Sequence, residues 1–262
     1  MIKERKIEKE LVDGNMTREE LIEEFKDTLN KAKTVYEKET KESIKGTKLY
    51  DNLTKRYEDY LKTDDKTTRI MFDTLPSTVT GIFKQRDFNC NKRIGCLNFA
   101  DSITPGGLVW HGEKTQEECL CRSSNLYLTL LSDMNKSGYY KYNEQFNGKG
   151  SNRIIYSPDV LFYKDDMLEE HEPVKCDVIT SPAPLSHYST HDLVVERMTN
   201  ILLVAKENKI DTLILGNWGC GAFGNDKVLF AKYWKEALSK VHLNTVVFVT
   251  TDWYGDIKDV LC

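Results

Sequence analysis

The sequence predicts an α/β fold with a largely parallel sheet between layers of helices, preceded by a helical N-terminal extension. Three observations carry that prediction. From residue 67 onward short apolar runs alternate with amphipathic ones. The apolar runs are β-branched and too hydrophobic to have a wet face, as strands covered on both sides are. Two glycine-rich stretches each leave an apolar run and lead into an amphipathic one, the place where such sheets gather their ligand loops.

Residues 1–66 are highly charged. Thr17 and Glu20 form a T-x-x-E capping box ahead of Leu21, Ile22, Phe25, Leu29, Ala32, Val35 and Tyr36, whose spacing fits one helix face. The charge run reads as the solvated side of that helical segment. The expected strands of the domain over 67–262 are RIMF (69–72), RIGCLNF (93–99), RIIYS (153–157) with VLFY (160–163), CDVIT (176–180), TLILGN (212–217) and TVVFVT (245–250). Helices are expected over about 116–132, 191–208 and 226–240.

The net charge of −4, from 37 basic and 41 acidic residues, supplies no global positive field for a polyanion. Direct nucleic-acid binding is not expected, and any anionic ligand must be held locally. The seven cysteines (Cys90, Cys96, Cys119, Cys121, Cys176, Cys220, Cys262) are odd in number and scattered, which reads as reduced thiols. The start, MIKERKIEKELVDGN, is charged where a signal peptide needs an apolar core, and no run approaches the ~18 apolar residues of a membrane span. The expectation is a cytoplasmic protein without a membrane segment.

The first glycine stretch, ITPGGLVWHGEKT (103–115), follows the strand ending at Phe99 and precedes the helix starting near Gln116. Gly106 and Gly107 permit positive φ and close backbone approach, so main-chain N–H groups can meet an anion; alone, Pro-Gly-Gly is equally a plain turn. The second, LGNWGCGAFGN (215–225), holds Gly216, Gly219, Gly221 and Gly224, a cost in chain entropy that no core connection requires. Neither stretch has phosphate-loop or dinucleotide-fingerprint spacing. Two glycine loops after two strands suit a diphosphate gripped from both sides. Between them in sequence, Gln116, Glu117 and Glu118 stand at a helix start, where acids are common for electrostatic reasons alone; the spacing to Gly106 and Gly107 makes them candidates for catalysis.

These residues resemble the microbial poly(ADP-ribose) glycohydrolases of the macrodomain superfamily. The matching positions are Asn98, Phe99 and Ala100, then Pro105, Gly106 and Gly107, then Gln116, Glu117 and Glu118, then Leu120, Arg122, Ser123, Ser124, Leu126 and Tyr127. IIYSPDVLFYKDD, CDVITSPAP and LGNWGCGAFGN resemble the family's later strands and diphosphate loop, so that the likeness covers about 70–251. The resemblance implies a macrodomain-like three-layer α/β/α fold with a mixed, largely parallel central sheet. It implies a hydrolase that cleaves the glycosidic bond at the anomeric carbon of the distal ribose and releases ADP-ribose from ADP-ribosylated proteins or poly(ADP-ribose), as a monomer, with no cofactor and no metal. Carried over, Glu118 is the catalytic acid and Glu117 holds ribose hydroxyls. Asn98 holds the distal ribose, Gly106 and Gly107 line ribose and phosphate, Gly219, Cys220, Gly221 and Ala222 cradle the diphosphate, and Phe223 packs on the distal ribose. Asp101, Leu108, Gln116 and Asn225, on the same loops, complete the expected ligand-binding set.

Leu108 stands where the family has a third glycine. Its side chain occupies space beside the scissile bond and favours a mono-ADP-ribosylated side chain as substrate. Asp101 and Glu113 add acids suited to an arginine-derived leaving group. An acid working near neutral pH needs a raised pKa, expected for Glu118 from burial and from Glu117, with the helix terminus opposing. The alternatives are a module that binds ADP-ribose without cleaving it, or a metal-dependent phosphotransferase. His187 and His191 are spaced like helical metal ligands but lie in a loop-like segment. Cys119 and Cys121 read as structural thiols and Cys220 as oxidation-sensitive; Trp110 and Tyr127 read as packing residues, Trp110 being the better placed of the two to touch a substrate because it lies in a loop.

Overall fold

The computed structural model describes residues 16–51, 53, 67–88, 92–250 and 254–261. The charged start of the chain, Cys90 and Cys262 lie outside them. The capping box forms as its spacing predicts: Thr17 Oγ1 accepts from the Glu20 N–H at 3.2 Å and Glu20 Oε2 accepts from the Thr17 N–H at 2.7 Å. It starts α1 (Arg18–Thr34), which buries Leu21, Phe25, Thr28, Leu29 and Ala32 on one face. Then come α2 (Glu37–Gly46), β1 (Lys48–Tyr50), β2 (Arg69–Thr74), α3 (Thr78–Phe88), β3 (Ile94–Phe99), α4 (Gln116–Ser123) and α5 (Leu126–Leu130). Two single turns, α6 (Asp133–Asn135) and α7 (Lys141–Asn143), flank a π-turn at Lys136–Tyr140; β4 (Ile154–Lys164), β5 (Glu170–Ser181), α8 (His191–Glu207), β6 (Thr212–Leu215), α9 (Lys227–Lys240), β7 (Thr245–Thr250) and α10 (Tyr254–Leu261) follow.

The seven strands form one sheet in the order β1-β4-β5-β3-β6-β7-β2. From β5 to β2 every neighbouring pair is parallel, whereas β4 runs antiparallel to both β1 and β5. The sheet is thus mixed and largely parallel, and alternate residues of its central strands enter two cores. Leu97, Ile179, Leu213, Leu215, Val246 and Phe248 meet residues of α8, α9 and α10. Cys96, Val178, Ile214 and Val247 meet Phe25, Leu29, Leu120 and Leu126 on the other side. Burial on both faces is the physical reason the strands read as continuous apolar runs.

The helix expected over 116–132 is broken. Ser124 is extended (φ −152°, ψ 176°) and bridges to Phe162 of β4. Asn125 donates its N–H to the Leu161 carbonyl at 3.2 Å, accepts the Leu161 N–H on Oδ1 at 2.9 Å, and gives its amide to Thr40 Oγ1 at 3.0 Å. The apolar pattern runs through the break because α4 and α5 face the same core. RIIYS and VLFY form one strand, with a register shift between Ser157 and Val160 and a left-handed Asp159 (φ 50°) at the bulge. The segment 1–66 contributes a strand as well as helices, since β1 pairs with residues 154–156 of β4.

Candidate active site

The site is built where β3 ends and α4 begins, and Gln116 makes that junction. Its Oε1 accepts the Phe99 N–H at 2.9 Å, while its Nε2 donates to the Leu97 carbonyl at 2.8 Å and to Thr78 Oγ1 at 3.2 Å. A side-chain amide supplies a donor and an acceptor side by side, as a peptide unit does, so the side chain continues the strand's own ladder and pins the first turn of α4 to it. Gln116 is among the residues expected to bind ligand; both ends of its amide are engaged by β3 and Thr78.

That turn carries Glu117 and Glu118 inward, 2 % and 4 % exposed. Glu117 accepts from Asn98 Nδ2 at 3.0 Å and from the Asp101 N–H at 2.7 Å. Glu118 accepts the Leu108 N–H on Oε1 at 2.8 Å and the Thr115 hydroxyl on Oε2. Burial above all pushes the Glu117 carboxyl well above the ordinary range; the bonds from Asp101 and Asn98 pull it down, and the charges of Glu118 and Asp101 add to the rise. The Glu117 carboxyl turns toward the end of β3, where Asn98 and the Asp101 N–H meet it.

A carboxyl with a raised folded pKa contributes stability that is complete below its ordinary value of 4.5 and is lost as pH climbs through the folded value. Glu117→Gln removes that loss. The melting temperature of Glu117→Gln relative to the parent is therefore expected to climb steadily with pH above 4.5, read by calorimetry across a pH series; a difference independent of pH refutes the assignment.

Gly106 (φ 72°) and Gly107 (φ 58°) are both left-handed. A Cβ at Gly106 would lie 2.7 Å from the Tyr127 ring, and one at Gly107 would strike Glu118 Oε1 and approach Glu117 Oε2 to 3.3 Å. The second glycine thus lies against both carboxylates. Leu108 has φ −100°, open to any residue, and its side chain is 47 % exposed. Asp101 Oδ1 caps its own turn, accepting the N–H groups of Ile103 and Thr104 at 2.8 Å each, and Glu113 pairs with Arg18 at 2.6 Å. Those two acids are tied into the loop rather than turned to a leaving group.

The second loop leaves β6 beside this site. Gly219 is left-handed (φ 77°), and a Cβ there would meet Ala183 Cβ at 2.6 Å. Around Gly221, by contrast, a Cβ would meet nothing within 4 Å, and Gly221 and Ala222 are exposed. Asn225 is buried and stitches the loop, donating to the carbonyls of Pro184 (2.9 Å) and Gly219 (2.8 Å) and accepting from the Ser189 hydroxyl. Like that of Gln116, its amide is engaged at both ends within the protein. Phe223 is half-buried against the core and gives its carbonyl to the Ser186 N–H at 3.0 Å. Burial pushes the Cys220 thiol up to about 12, which works against the oxidation sensitivity its place in the loop suggests. Gly219→Ala is expected to weaken binding of an ADP-ribose probe at least about tenfold, since backbone misplacement of this size disrupts a loop fitted to its ligand. Gly221→Ala should bind as the parent does; isothermal titration calorimetry of both separates the two.

Three buried polar atoms lie without partners among the described residues at the carboxyl ends of neighbouring strands: Asn98 Oδ1 of β3, Ser181 Oγ of β5 and Asn217 Oδ1 after β6. Buried polar atoms are nearly always satisfied, and the atoms of this row can hydrogen-bond to a polar ligand. Asn98 was expected; Ser181 and Asn217 were not singled out, although a polar residue closing an apolar strand was the available signal. A cavity of about 310 Å³ adjoins the row. Leu75, Val79, Phe99 and Val249 give it an apolar wall and Gln116 and Asn217 border it, but neither carboxylate lines it. Among the described residues Asp165, Glu169 and His171 cluster on the β4–β5 hairpin; Asp165 is already bonded to the Met167 and Glu169 N–H groups and to His171. His187 packs on Tyr188, and His191 pairs with Asp192 and Glu236.

The family description "Microbial-type PARG, catalytic domain" matches residues 17–165, more than half of the 262-residue chain. The chain is similar to the crystal structure of poly(ADP-ribose) glycohydrolase from Thermomonospora curvata, with 25 % identity, a TM-score of 0.77, and coverage of 93 % of this chain and 97 % of that one. It is also similar to the Deinococcus radiodurans poly(ADP-ribose) glycohydrolase in complex with ADP-ribose, at 26 % identity and a TM-score of 0.75, covering 85 % and 96 %. The T. curvata structure bound to the inhibitor ADP-HPD shares the fold at 24 % identity and a TM-score of 0.74, covering 93 % and 97 %. No curated protein matches.

Proposed function

This chain belongs to the microbial-type PARG catalytic-domain family and is a glycosidase-type hydrolase, and on that premise we propose that it releases ADP-ribose by cleaving at the anomeric carbon of the distal ribose. The observation that carries the reading is the pair of buried carboxylates against Gly107, one held by the Leu108 N–H and the other by Asn98 and Asp101. Glycoside cleavage passes through an oxocarbenium-like state that needs a proton for the leaving atom and a water for the carbon. Glu118 gives the proton and, as carboxylate, then helps deprotonate the water. Glu117, whose carboxyl burial pushes well above the ordinary range, takes ribose hydroxyls. The row of Asn98, Ser181 and Asn217 receives further ligand hydroxyls, and the Gly219–Ala222 backbone meets the diphosphate.

The substrates proposed are poly(ADP-ribose), on which the named relatives act, and mono-ADP-ribosylated protein. Support for the second is Leu108, an exposed isobutyl group on the residue whose amide holds Glu118. An arginine linkage loses its support, because Asp101 and Glu113 are engaged elsewhere. Release of ADP-ribose is to be measured on defined polymer and on mono-ADP-ribosylated protein, for the parent and for Leu108→Gly. The expected result is activity on both substrates and a gain on polymer in the variant, which meets no backbone strain at φ −100°. No release from either substrate sinks the catalytic reading, and an unchanged ratio sinks the role of Leu108.

A further inference from the structure

A pair of adjacent glycines is the most pliable point of any backbone, yet the Leu108 N–H must hold one direction to grip Glu118. The contacts that fix it come from the N-terminal helix. The Tyr127 ring lies against Gly106, close enough that a Cβ there would be 2.7 Å from it. Phe25 of α1, fully buried, packs edge-on against Tyr127 at 5.0 Å and against Trp110 at 4.8 Å. Trp110 in turn donates Nε1–H to the Tyr127 hydroxyl at 2.7 Å, closing a triangle of three rings. At its first turn α1 touches the far end of the same loop. Arg18 pairs with Glu113 at 2.6 Å, Lys114 Nζ donates to the Met16 carbonyl at 3.0 Å, and left-handed Gly112 leaves room for the Arg18 backbone, which a Cβ would approach to 2.5 Å. Thr28 adds a bond to the carbonyl of Arg122, whose guanidinium holds the Glu113 carbonyl at 2.6 Å. The loop 106–114 is therefore clamped at both ends by one helix, on the side away from the carboxylates.

We propose that α1 is a positioning element of the active site, and that Phe25 and Tyr127 are positioning residues which fix the Gly106–Gly107 turn so that the Leu108 amide holds Glu118 in its working geometry. The inference rests on the hydrolase reading above. It assigns the N-terminal helix a part in turnover rather than in ligand capture, because the second glycine loop and the polar row at the strand ends do not touch it through these rings.

The test uses the full chain and compares the parent with Phe25→Ala, Phe25→Leu and Tyr127→Phe. The measurements are kcat on poly(ADP-ribose), and the affinity and stoichiometry of ADP-ribose binding by calorimetry. Phe25→Ala is expected to lower kcat by about ten- to a hundredfold, the scale of a misplaced catalytic group, with affinity and stoichiometry kept; Phe25→Leu recovers most of the loss. Tyr127→Phe, which deletes only the acceptor for Trp110, should lower kcat about fivefold, the fold-change one neutral hydrogen bond corresponds to. If Phe25→Ala does not fold, Tyr127→Phe decides. A folded variant set with parental kcat, or a fall in kcat matched by lost binding stoichiometry, overturns the proposal. An inactive parent overturns the hydrolase reading first, which keeps the two failures apart.

Discussion

Glu118→Gln is expected to slow ADP-ribose release by about 10²- to 10⁴-fold, the range that a positioned acid or base contributes, while the protein still binds ADP-ribose. The substitution keeps shape and packing in a residue that is 4 % exposed. Its amide oxygen can still accept from the Leu108 N–H, and its NH₂ can donate to Thr115 where the hydroxyl now donates to Oε2. What is lost is the proton itself. Single-turnover release from poly(ADP-ribose), beside calorimetric binding, separates the two effects. Equal release by variant and parent removes Glu118 from the chemistry, and lost binding in a folded variant assigns it to ligand capture instead.

Gly107→Ala should be nearly as damaging by a different route. At φ 58° an alanine carries left-handed strain of about 1–2 kcal/mol. The larger effect is steric, since the new Cβ would fall on Glu118 Oε1 and press within 3.3 Å of Glu117 Oε2. Either the turn opens or the carboxylates move apart, and a displacement near 1 Å of a reacting group costs about a hundredfold in rate. Thermal unfolding should report a loss of at least about 1–2 kcal/mol, and a variant still folded at the assay temperature assigns the fall in kcat to the site. A parental kcat in Gly107→Ala excludes the contact of this glycine with the two acids as a working geometry.

Much of the site was legible because it is local. Asn98, Gly106, Gly107 and Glu118 fall within 21 residues, so spacing alone along one strand, one loop and one helix start brings them together. The bulk of the sheet was legible for a related reason, since strands buried on both faces leave continuous apolar runs. What stayed hidden depends on distant partners. Asn225 reads as a loop residue until Pro184 and Ser189, far back in sequence, take up its amide. Gln116 reads as part of a catalytic triplet until the Leu97 and Phe99 backbone claims it. The break at Ser124 was silent because Asn125 finds its partner in Leu161, across the fold. α3 holds Thr78, Thr80 and Gly81 among its first residues and offers no clear period.

The outer side of β4 has a bearing on solubility. Its eleven residues, nearly all buried, would make a long apolar margin open to pairing with another copy. Three separate pieces blunt it: β1 along residues 154–156, the Ser43 hydroxyl on the Pro158 carbonyl, and the Ser124 and Asn125 main chain at Leu161 and Phe162. Two of the three come from before residue 67. A chain shortened to that point would keep both acids and both glycine loops but bare most of this margin, so that self-association would add to the loss of turnover expected without α1.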